Sequence, residues 1–496
     1  MSISLRQLLK NLKVEKTTGE VERVICGVTS DSRRVAPGMV FVALNGLTAD
    51  GHDFIPSALD RGAAAIVSAR NGFMAGKATT VRVVDTRHAL ARLSAEFYGH
   101  PSSKMKMVGV TGTNGKTSVT FILRHLMESA SISTGLIGTI RYEIKDRMIP
   151  AWRTTPESAE VQQLLSQMVR SGCPACIMET SSHAIDQQRV ACVDFDTAIF
   201  TNLSGDHLDY HGDMDSYLAC KARLFTGEYQ GPIPAASVIN IDDPYGQKLL
   251  PMALSEWKIT YGLENRDAEL SACQIVASTR STSFVLKHGG KEAEVTIPLI
   301  GRHNIYNVLA AVGGALTLGI SWSQILEFLP SLPSVPGRLE PVASDAPFQV
   351  LVDYAHTDDA LGNVLRTVRE ITQGRIHLVF GCGGNRDASK RGRMGGLAAQ
   401  LADVTYITND NPRRENPNVI AAAIVDGYQS VRTDGFLVEL DRERAIDAAI
   451  SQAEGGDVVL IAGKGHETYQ EFSDTVIPFD DRECAIESLE ALKMRT

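Results

Sequence analysis

Residues 108 to 127 read VGVTGTNGKTSVTFILRHLM. An apolar run leads into Gly112, Thr113, Asn114, Gly115, Lys116, Thr117 and Ser118, and a helical pattern follows. Glycines at such a turn let the backbone curl so that N–H groups face phosphate oxygens, at a helix N-terminus where anions are favoured. Lys116 can neutralise phosphate charge, and Thr117 offers a hydroxyl to Mg²⁺. The usual loop has glycine, four residues, then Gly-Lys-Ser/Thr. Here the position where that first glycine would stand is Val110. Nucleotide binding is the functional reading; an ordinary strand-to-helix turn is the plain one.

Two further stretches carry chemistry. In IMETSSHAIDQQRV, Glu179 falls at the carboxyl end of an apolar strand, where ligands bind in open α/β sheets. A carboxylate there can hold Mg²⁺; a helix cap is the plain alternative. TNLSGDHLDYHGDMDSYLACKARLF is the densest polar stretch, with His207, His211 and Lys221. Asp213 reads as the cap of the helix that carries Lys221, and a lysine on a helix surface is the plain reading of Lys221.

These groups need elements to position them. The chain has 496 residues, 44% hydrophobic and 22% charged, too long for one core. Its net charge of −9 argues against a general nucleic-acid binder. No apolar run reaches membrane-spanning length, and MSISLRQLLKNLKVEK reads as a short surface helix without a signal-peptide core. Eight scattered cysteines point to a reducing cytoplasm. Cys173 and Cys176 form one C-x-x-C with no second pair to complete a zinc site, so buried thiols are the plain reading.

Three blocks are expected, at residues 1–100, 101–336 and 337–496. Tyr98 to Lys106 reads as a linker, and the proline-rich Pro330 to Val342 as the second boundary. In the second block, MKMVGVT, ACIMET, DTAIFTN, SVINID and EVTIPLI read as strands, with helices at Lys116 to Ser129 and Asn304 to Leu318. In the third, QVLVDYA, RIHLVFG, DVTYITN and DVVLIAG read as strands, with a helix at Arg442 to Ala453. Strand–helix alternation predicts α/β architecture with mostly parallel, doubly wound sheets.

GTNGKT, ETSSHA, TNLSGDHLDYHG, SYLACKARLF, GRHNIYNVLAA and PGRLE occur in this order. Together they resemble the Mur ligase family of peptidoglycan synthesis over essentially the whole chain. That family's phosphate loop has the shorter spacing seen here. TSDSRR and TTPE point within the family to the tripeptide-synthetase (MurE-type) branch. The resemblance implies three domains. The first binds a UDP-MurNAc substrate, the second is a P-loop-type doubly wound ATPase, and the third is a Rossmann-like α/β domain that binds an amino acid. It implies transfer of the ATP γ-phosphate to a substrate carboxylate, then attack of an amine on the acyl phosphate. Lys116, Lys221 and His207 would be the catalytic residues. Thr117, Glu179, His207 and Lys221 would hold Mg²⁺, with Lys221 carbamylated by CO₂ into an oxygen ligand. His303, Asn304, Arg338 and Asp353 would join the loop in binding ATP, with Tyr354 and His356 beside Asp353. Asn304 could equally be a plain helix cap. Ser30, Ser32, Thr154, Thr155, Ser181, Gln187 and Arg189 match the region that binds UDP-MurNAc-L-Ala-D-Glu.

The choice of amine rests on TNDNPRREN. Asp410, Asn411, Pro412 and Arg413 resemble the signature of relatives that add meso-diaminopimelate. Arg413 could pair bidentately with the distal carboxylate of that amino acid. Arg386, Gly463 and Glu467 match other positions around it. A helix N-terminus opened by Pro412 is the plain reading. A lysine-adding enzyme of the same type and a folylpolyglutamate-synthase-like ligase are the alternatives within the superfamily. A nucleotide-dependent switch without ligation is the alternative outside it. Partners are expected to be small molecules, and the protein a cytoplasmic monomer.

Overall fold

A computed structural model describes residues 2–46, 49–70 and 76–495. Two compact units emerge: Met1–Ala272 with Lys287–Lys291 and Tyr306–Phe328, and Cys273–Leu286 with Glu292–Ile305 and Leu329–Thr496.

The first unit contains two large sheets, besides the short pair Ile3–Ser4 with Val24–Ile25. The smaller runs in the order Lys16–Thr18, Thr79–Arg82, Ala65–Ser68, Met39–Val42, Gly27–Thr29. Its last four strands are parallel. Helix Thr86–Tyr98, capped by Asp85, buries Leu90 and Leu93 in a core with Val40, Val42 and Val67. The linker expected at Tyr98 to Lys106 is instead a packed turn. Pro101–Lys104 forms a 3-10 helix with Pro101 and Ser102 buried. Proline fixes φ for such a turn, and the preceding His100 takes the left-handed φ of 50°.

The larger sheet places Lys106–Thr111 between Ala175–Glu179 and Thr197–Phe200. Thr134–Ile137 lies beyond the first neighbour, and Ala236–Asn240 then Trp257–Gly262 beyond the second. All of these pairings are parallel. Every residue of Ala175–Glu179 and of Thr197–Phe200 is buried, as expected of strands covered on both faces. Helix Lys116–Ser129 buries Val119, Ile122, Leu123 and Leu126, one face of a 3.6-residue period. The chain reverses direction across the sheet around Lys106–Thr111. The loops after this strand and its two neighbours therefore share one carboxyl edge, where such sheets bind ligands. Cys173 and Cys176 are buried free thiols.

The second unit holds a sheet in the order Glu340–Val342, Gln349–Asp353, Val458–Ala462, Ile376–Phe380, Val404–Ile407, Phe436–Val438. All pairings are parallel except the Glu340–Val342 edge. Helices Asp358–Ile371 and Lys390–Leu401 contribute to one core, and Arg442–Gln452 and Asp481–Arg495 to another.

Candidate active site

The phosphate-type loop is built as its glycines require. Gly112 has φ 148° and Gly115 φ 86°, and a Cβ on Gly112 would run into Thr201 Oγ1. The end of the neighbouring strand pins the loop. Thr113 N donates to Asn202 O at 2.8 Å and Asn114 N to Asn202 Oδ1 at 2.9 Å. Thr201 Oγ1 donates to Asn114 O at 2.6 Å. Gly115 caps helix Lys116–Ser129, whose first turn buries Thr117 and Ser118. Lys116 Nζ donates back to the carbonyls of Gly112 at 3.0 Å and Thr113 at 2.8 Å. Asn307, which the sequence reading passed over, sets its side-chain oxygen where a Gly115 side chain would be. Its sequence signal is its place inside the GRHNIYNVLAA stretch.

Glu179 ends its strand fully buried. Its Oε2 accepts from Thr117 Oγ1 at 3.1 Å and Thr139 Oγ1 at 2.9 Å, and its Oε1 accepts from Thr139 N at 2.9 Å. It caps no helix: Ser181 does that for Ser182–Asp186. Thr139 is a second residue the sequence did not single out.

Lys221 lies on helix Met214–Thr226, capped by Asp213 as expected. It is not a surface lysine. Only 1% of it is exposed, and Nζ donates to Gly112 O at 3.0 Å and sits 4.6 Å from the Tyr217 ring centre. Burial, reinforced by the nearby charge of Lys116, pushes its pKa well below the ordinary lysine value. His207 takes a φ of 57°, with Nε2 3.5 Å from Asp206 Oδ2 and its ring edge-on to His183 at 4.9 Å. Burial, opposed by Asp206 but helped by Lys116 and Lys221, lowers its pKa. His211 stacks on Tyr217 at 4.7 Å and bonds Ser182 Oγ at 2.9 Å. Among the described residues, no three His, Cys, Asp or Glu side chains form a ready metal cage. The Thr117 hydroxyl and the Glu179 carboxylate lie side by side at the loop, 3.1 Å apart.

The residues expected to hold the nucleotide-sugar substrate are partly gathered. Thr154 Oγ1 lies 3.1 Å from Thr139 Oγ1. Thr155 Oγ1 donates to the Glu179 carbonyl at 2.8 Å and lies 3.3 Å from Ser181 Oγ. Arg189 donates to Thr155 O at 3.2 Å and Gln187 Oε1 at 2.7 Å, and Gln187 Nε2 reaches Tyr210 OH at 3.4 Å. Glu157 pairs with Arg189 at 3.1 Å, Arg153 at 2.6 Å and Arg87 at 3.9 Å, a basic cluster the sequence reading missed. Ser30 follows strand Gly27–Thr29, and Ser32 is buried in the 3-10 turn Ser32–Arg34 capped by Asp31. Among the described residues, no hydrogen bond joins either serine to the Thr155–Arg189 group. The two sheets of this unit are tied by an Arg34–Glu160 ion pair and by Gln188 Nε2 donating to Asp85 Oδ2 at 2.7 Å.

In the second unit, Asp353 accepts from Leu339 N at 2.7 Å and Ala355 N at 2.8 Å. Burial raises its pKa, against the pull of Arg338. The Arg338 guanidinium lies 5.1 Å from the Tyr354 ring centre, and the Tyr354 ring packs against His356 at 4.6 Å. Burial, with Arg338 adding to it, brings His303 down to about 4. Asn304 is buried within the first turn of helix Arg302–Thr317 and donates to Ile300 O at 2.9 Å, so it is not the plain N-cap.

The DNPR segment also departs from its plain reading. Pro412 opens no helix; the next helix is Pro417–Gln429, capped by Asn416. Asp410 to Arg413 form a folded loop after strand Val404–Ile407. Arg413 has a φ of 51°; its Nε donates to Glu471 Oε2 at 2.8 Å and its Nη1 to Gly384 O at 2.9 Å. Asn411 Nδ2 donates to Glu467 Oε2 at 2.9 Å. Fully buried Lys464 donates to Asn411 Oδ1 at 3.2 Å and Glu467 Oε2 at 3.0 Å. A side chain on Gly463 would meet the Asp410 carboxylate. Arg386 is exposed, on the loop that passes Arg413 at Gly383. Lys464 and Glu471 were not singled out, although Lys464 directly follows Gly463. No helix in the described residues is long and apolar enough to cross a membrane.

Three family descriptions match in succession. "Mur ligase family, catalytic domain" matches residues 24–98, "Mur ligase middle domain" residues 110–315, and "Mur ligase, glutamate ligase domain" residues 337–465. A UDP-N-acetylmuramoyl-L-alanyl-D-glutamate–2,6-diaminopimelate ligase of Syntrophomonas wolfei is 42% identical, over 98% of this chain and 99% of that protein. The ligase of the same name from Geobacillus kaustophilus is 44% identical over 93% of this chain and 94% of its own. A solved structure of a ligase so named is 30% identical, with a TM-score of 0.72 over 99% of this chain and 100% of that one. A folylpolyglutamate synthase of Mycobacterium tuberculosis, 18% identical with a TM-score of 0.62 over 77% of this chain and 92% of that one, shares the fold.

Proposed function

The chain belongs to the Mur ligase family, and we propose that it joins meso-diaminopimelate to the D-glutamyl carboxylate of UDP-MurNAc-L-Ala-D-Glu, converting ATP to ADP and phosphate, in peptidoglycan precursor synthesis. The observation that carries the choice of amine is the Asn411–Lys464–Glu467 cluster beside Arg413, in a chain 42% identical to diaminopimelate ligases over nearly its whole length. Diaminopimelate has a carboxylate and an ammonium at its far end. Arg413 offers a planar fork to the first and Glu467 a carboxylate to the second. Glu467 is held in place by Asn411 and Lys464, which both donate to its Oε2.

The loop of Gly112 to Ser118 cradles the ATP phosphates with its backbone N–H groups. Lys116 swings from the carbonyls of Gly112 and Thr113 to a phosphate oxygen, so that two anions, phosphate and carboxylate, can approach. Thr117 and Glu179 present hard oxygens at the loop and fit Mg²⁺. When bound, the ion offsets the charge of the transferring phosphoryl group. Lys221, carbamylated by CO₂, would add an oxygen ligand; its burial without a carboxylate partner favours the neutral amine that such an addition needs. His207 lies on the Lys221 side of the loop and serves as a further ligand. His303, Asn304, Arg338 and Asp353 are assigned to ATP. Thr154, Thr155, Ser181, Gln187 and Arg189 hold the UDP-linked substrate, with Ser30 and Ser32 assigned to its uridine end. Residues 1–100, 101–336 and 337–496 would be the substrate, ATP and amino-acid domains. The substrates are water-soluble small molecules, so the reaction belongs to the cytoplasm, and one chain supplies every assigned group.

The test is phosphate release with ATP, Mg²⁺ and the UDP-linked dipeptide, comparing meso-diaminopimelate, L-lysine and no amine. Release with diaminopimelate and a tripeptide product by mass is expected. Release with lysine alone would keep the ligase and remove the assignment of Arg413. Release indifferent to both amines would remove the ligase.

A further inference from the structure

Arg442 and Asp481 form an ion pair with both side chains at 0% exposure. Arg442 Nε donates to Asp481 Oδ1 at 2.7 Å and Nη2 to Oδ2 at 2.8 Å, a bidentate fork. Both residues open helices of the second unit, Arg442–Gln452 and Asp481–Arg495. The same guanidinium has two further acceptors. Nη1 donates to Asn409 O at 3.2 Å and Nη2 to Ala462 O at 3.0 Å.

Those carbonyls are not arbitrary. Asn409 immediately precedes Asp410 and Asn411, and Ala462 immediately precedes Gly463 and Lys464. The strands they extend, Val404–Ile407 and Val458–Ala462, are not neighbours; Ile376–Phe380 lies between them. The Asn409–Asp410 segment crosses the end of that middle strand. A Cβ on Gly381 there would collide with Thr408 O and Asp410 N. The middle strand pairs with both and fixes the separation of the strands themselves. Beyond their ends the two loops are joined by side-chain contacts, those of Asn411 with Lys464 and Glu467 and those of the Arg442 guanidinium. Burial opposes the charge on Arg442. The Asp481 carboxylate, with Asp410 and Glu467 contributing, nonetheless holds its pKa above the ordinary guanidinium value.

We propose that Arg442, oriented by Asp481, is a positioning residue that sets the spacing between the Asp410–Arg413 loop and the Gly463–Glu467 loop, and so the enzyme's affinity for the incoming amino acid. The inference rests on the assignment of that site to the amine. An ion pair buried only for stability would behave differently. Replacing such a pair by apolar residues of similar volume is commonly neutral for stability. The two loop carbonyls, in contrast, need a forked donor, which no apolar residue supplies.

The experiment uses the full chain. Wild type is first assayed with diaminopimelate and lysine. Then Arg442→Lys and the double variant Arg442→Met with Asp481→Leu are compared for melting temperature, kcat, amine KM and ATP KM. The expected result is a double variant that folds, with some loss of melting temperature because two carbonyls lose their donor, and that raises the amine KM on the order of tenfold or more, with ATP KM within about twofold. Arg442→Lys keeps the charge opposite Asp481 but loses the fork, and should raise the amine KM in the same selective way. If the double variant fails to fold, Arg442→Lys decides. A folded variant with wild-type amine KM, or amine and ATP KM rising together, overturns the proposal. A wild type that uses lysine overturns the diaminopimelate reading while leaving Arg442 to be judged on the lysine KM.

Discussion

Lys221 donates to the carbonyl of Gly112 across 3.0 Å, from a site where only 1% of the lysine is exposed. A lysine held there by a carbonyl and the Tyr217 ring, and not by a carboxylate, is costly to bury as a cation, and its pKa is pushed well down by that burial. Its retention under the phosphate loop argues for chemistry. Lys221→Met keeps roughly the volume and removes the amine. The melting temperature should hold or rise, while turnover falls on the order of 100-fold or more, the scale of losing one electrostatic contributor in an active site. Short carboxylates such as acetate should restore part of the activity of Lys221→Ala. Absence of rescue in a folded Lys221→Ala protein would sink the carbamate assignment.

Glu179 accepts from Thr117, Thr139 and the Thr139 backbone, and an ionised carboxylate can only accept. Glu179→Gln brings an N–H₂ against one of those donors. We expect the Mg²⁺ concentration for half-maximal turnover to rise roughly 10- to 100-fold, the range seen when groups around a bound metal are altered. Titrating Mg²⁺ at saturating ATP measures this, and an unshifted midpoint would remove Glu179 from the metal site.

Arg413 is already held by Glu471 and Gly384 at 2.8 and 2.9 Å, so its fork is fixed before the amino acid arrives. Arg413→Lys keeps the charge and loses the planar geometry. The diaminopimelate KM should rise at least tenfold, a loss of about 1.4 kcal/mol, with ATP KM little changed. Glu471→Ala should move the same constant in the same direction by less. Equal effects of Arg413→Lys on both KM values would place the arginine elsewhere in the cycle.

Much of this was legible because buried parallel strands announce themselves as apolar runs. QVLVDYA and DVVLIAG gave Gln349–Asp353 and Val458–Ala462 to within two residues at either end. Helix Lys116–Ser129 fell where its apolar period placed it. The hairpins at Arg141–Ile144 with Arg147–Pro150 and at Tyr469–Phe472 with Thr475–Pro478 escaped notice. Their outer strands are largely exposed and carry no buried face to betray them. At the site, motif residues were legible and their supports were not. Thr139 and Arg442 matter through neighbours far away in sequence, and nothing in their own surroundings marks them. Glu157 and Asn307 stand inside TTPE and GRHNIYNVLAA, but their contacts with Arg87, Arg189 and Gly115 come from distant segments.

The last expectation concerns acid. In the second unit, burial and the Arg338 charge bring His303 to about 4 and His466 to about 3, against an ordinary 6.5. Both histidines are therefore favoured neutral in the fold. Between pH 6.5 and 4 the unfolded chain binds more protons than the folded one. Their contribution is full above the unfolded pKa and is lost as pH falls through that window, at about 1.4 kcal/mol per pH unit for each proton of difference. Near pH 5, unfolding should take up nearly one proton for each. Calorimetry of the second unit's transition between pH 7.5 and 5 reads this directly. His303→Gln should flatten the slope by about one proton. An unchanged slope would mean that His303 is protonated in the folded protein, and that Arg338 does not bear on it as the structure places it.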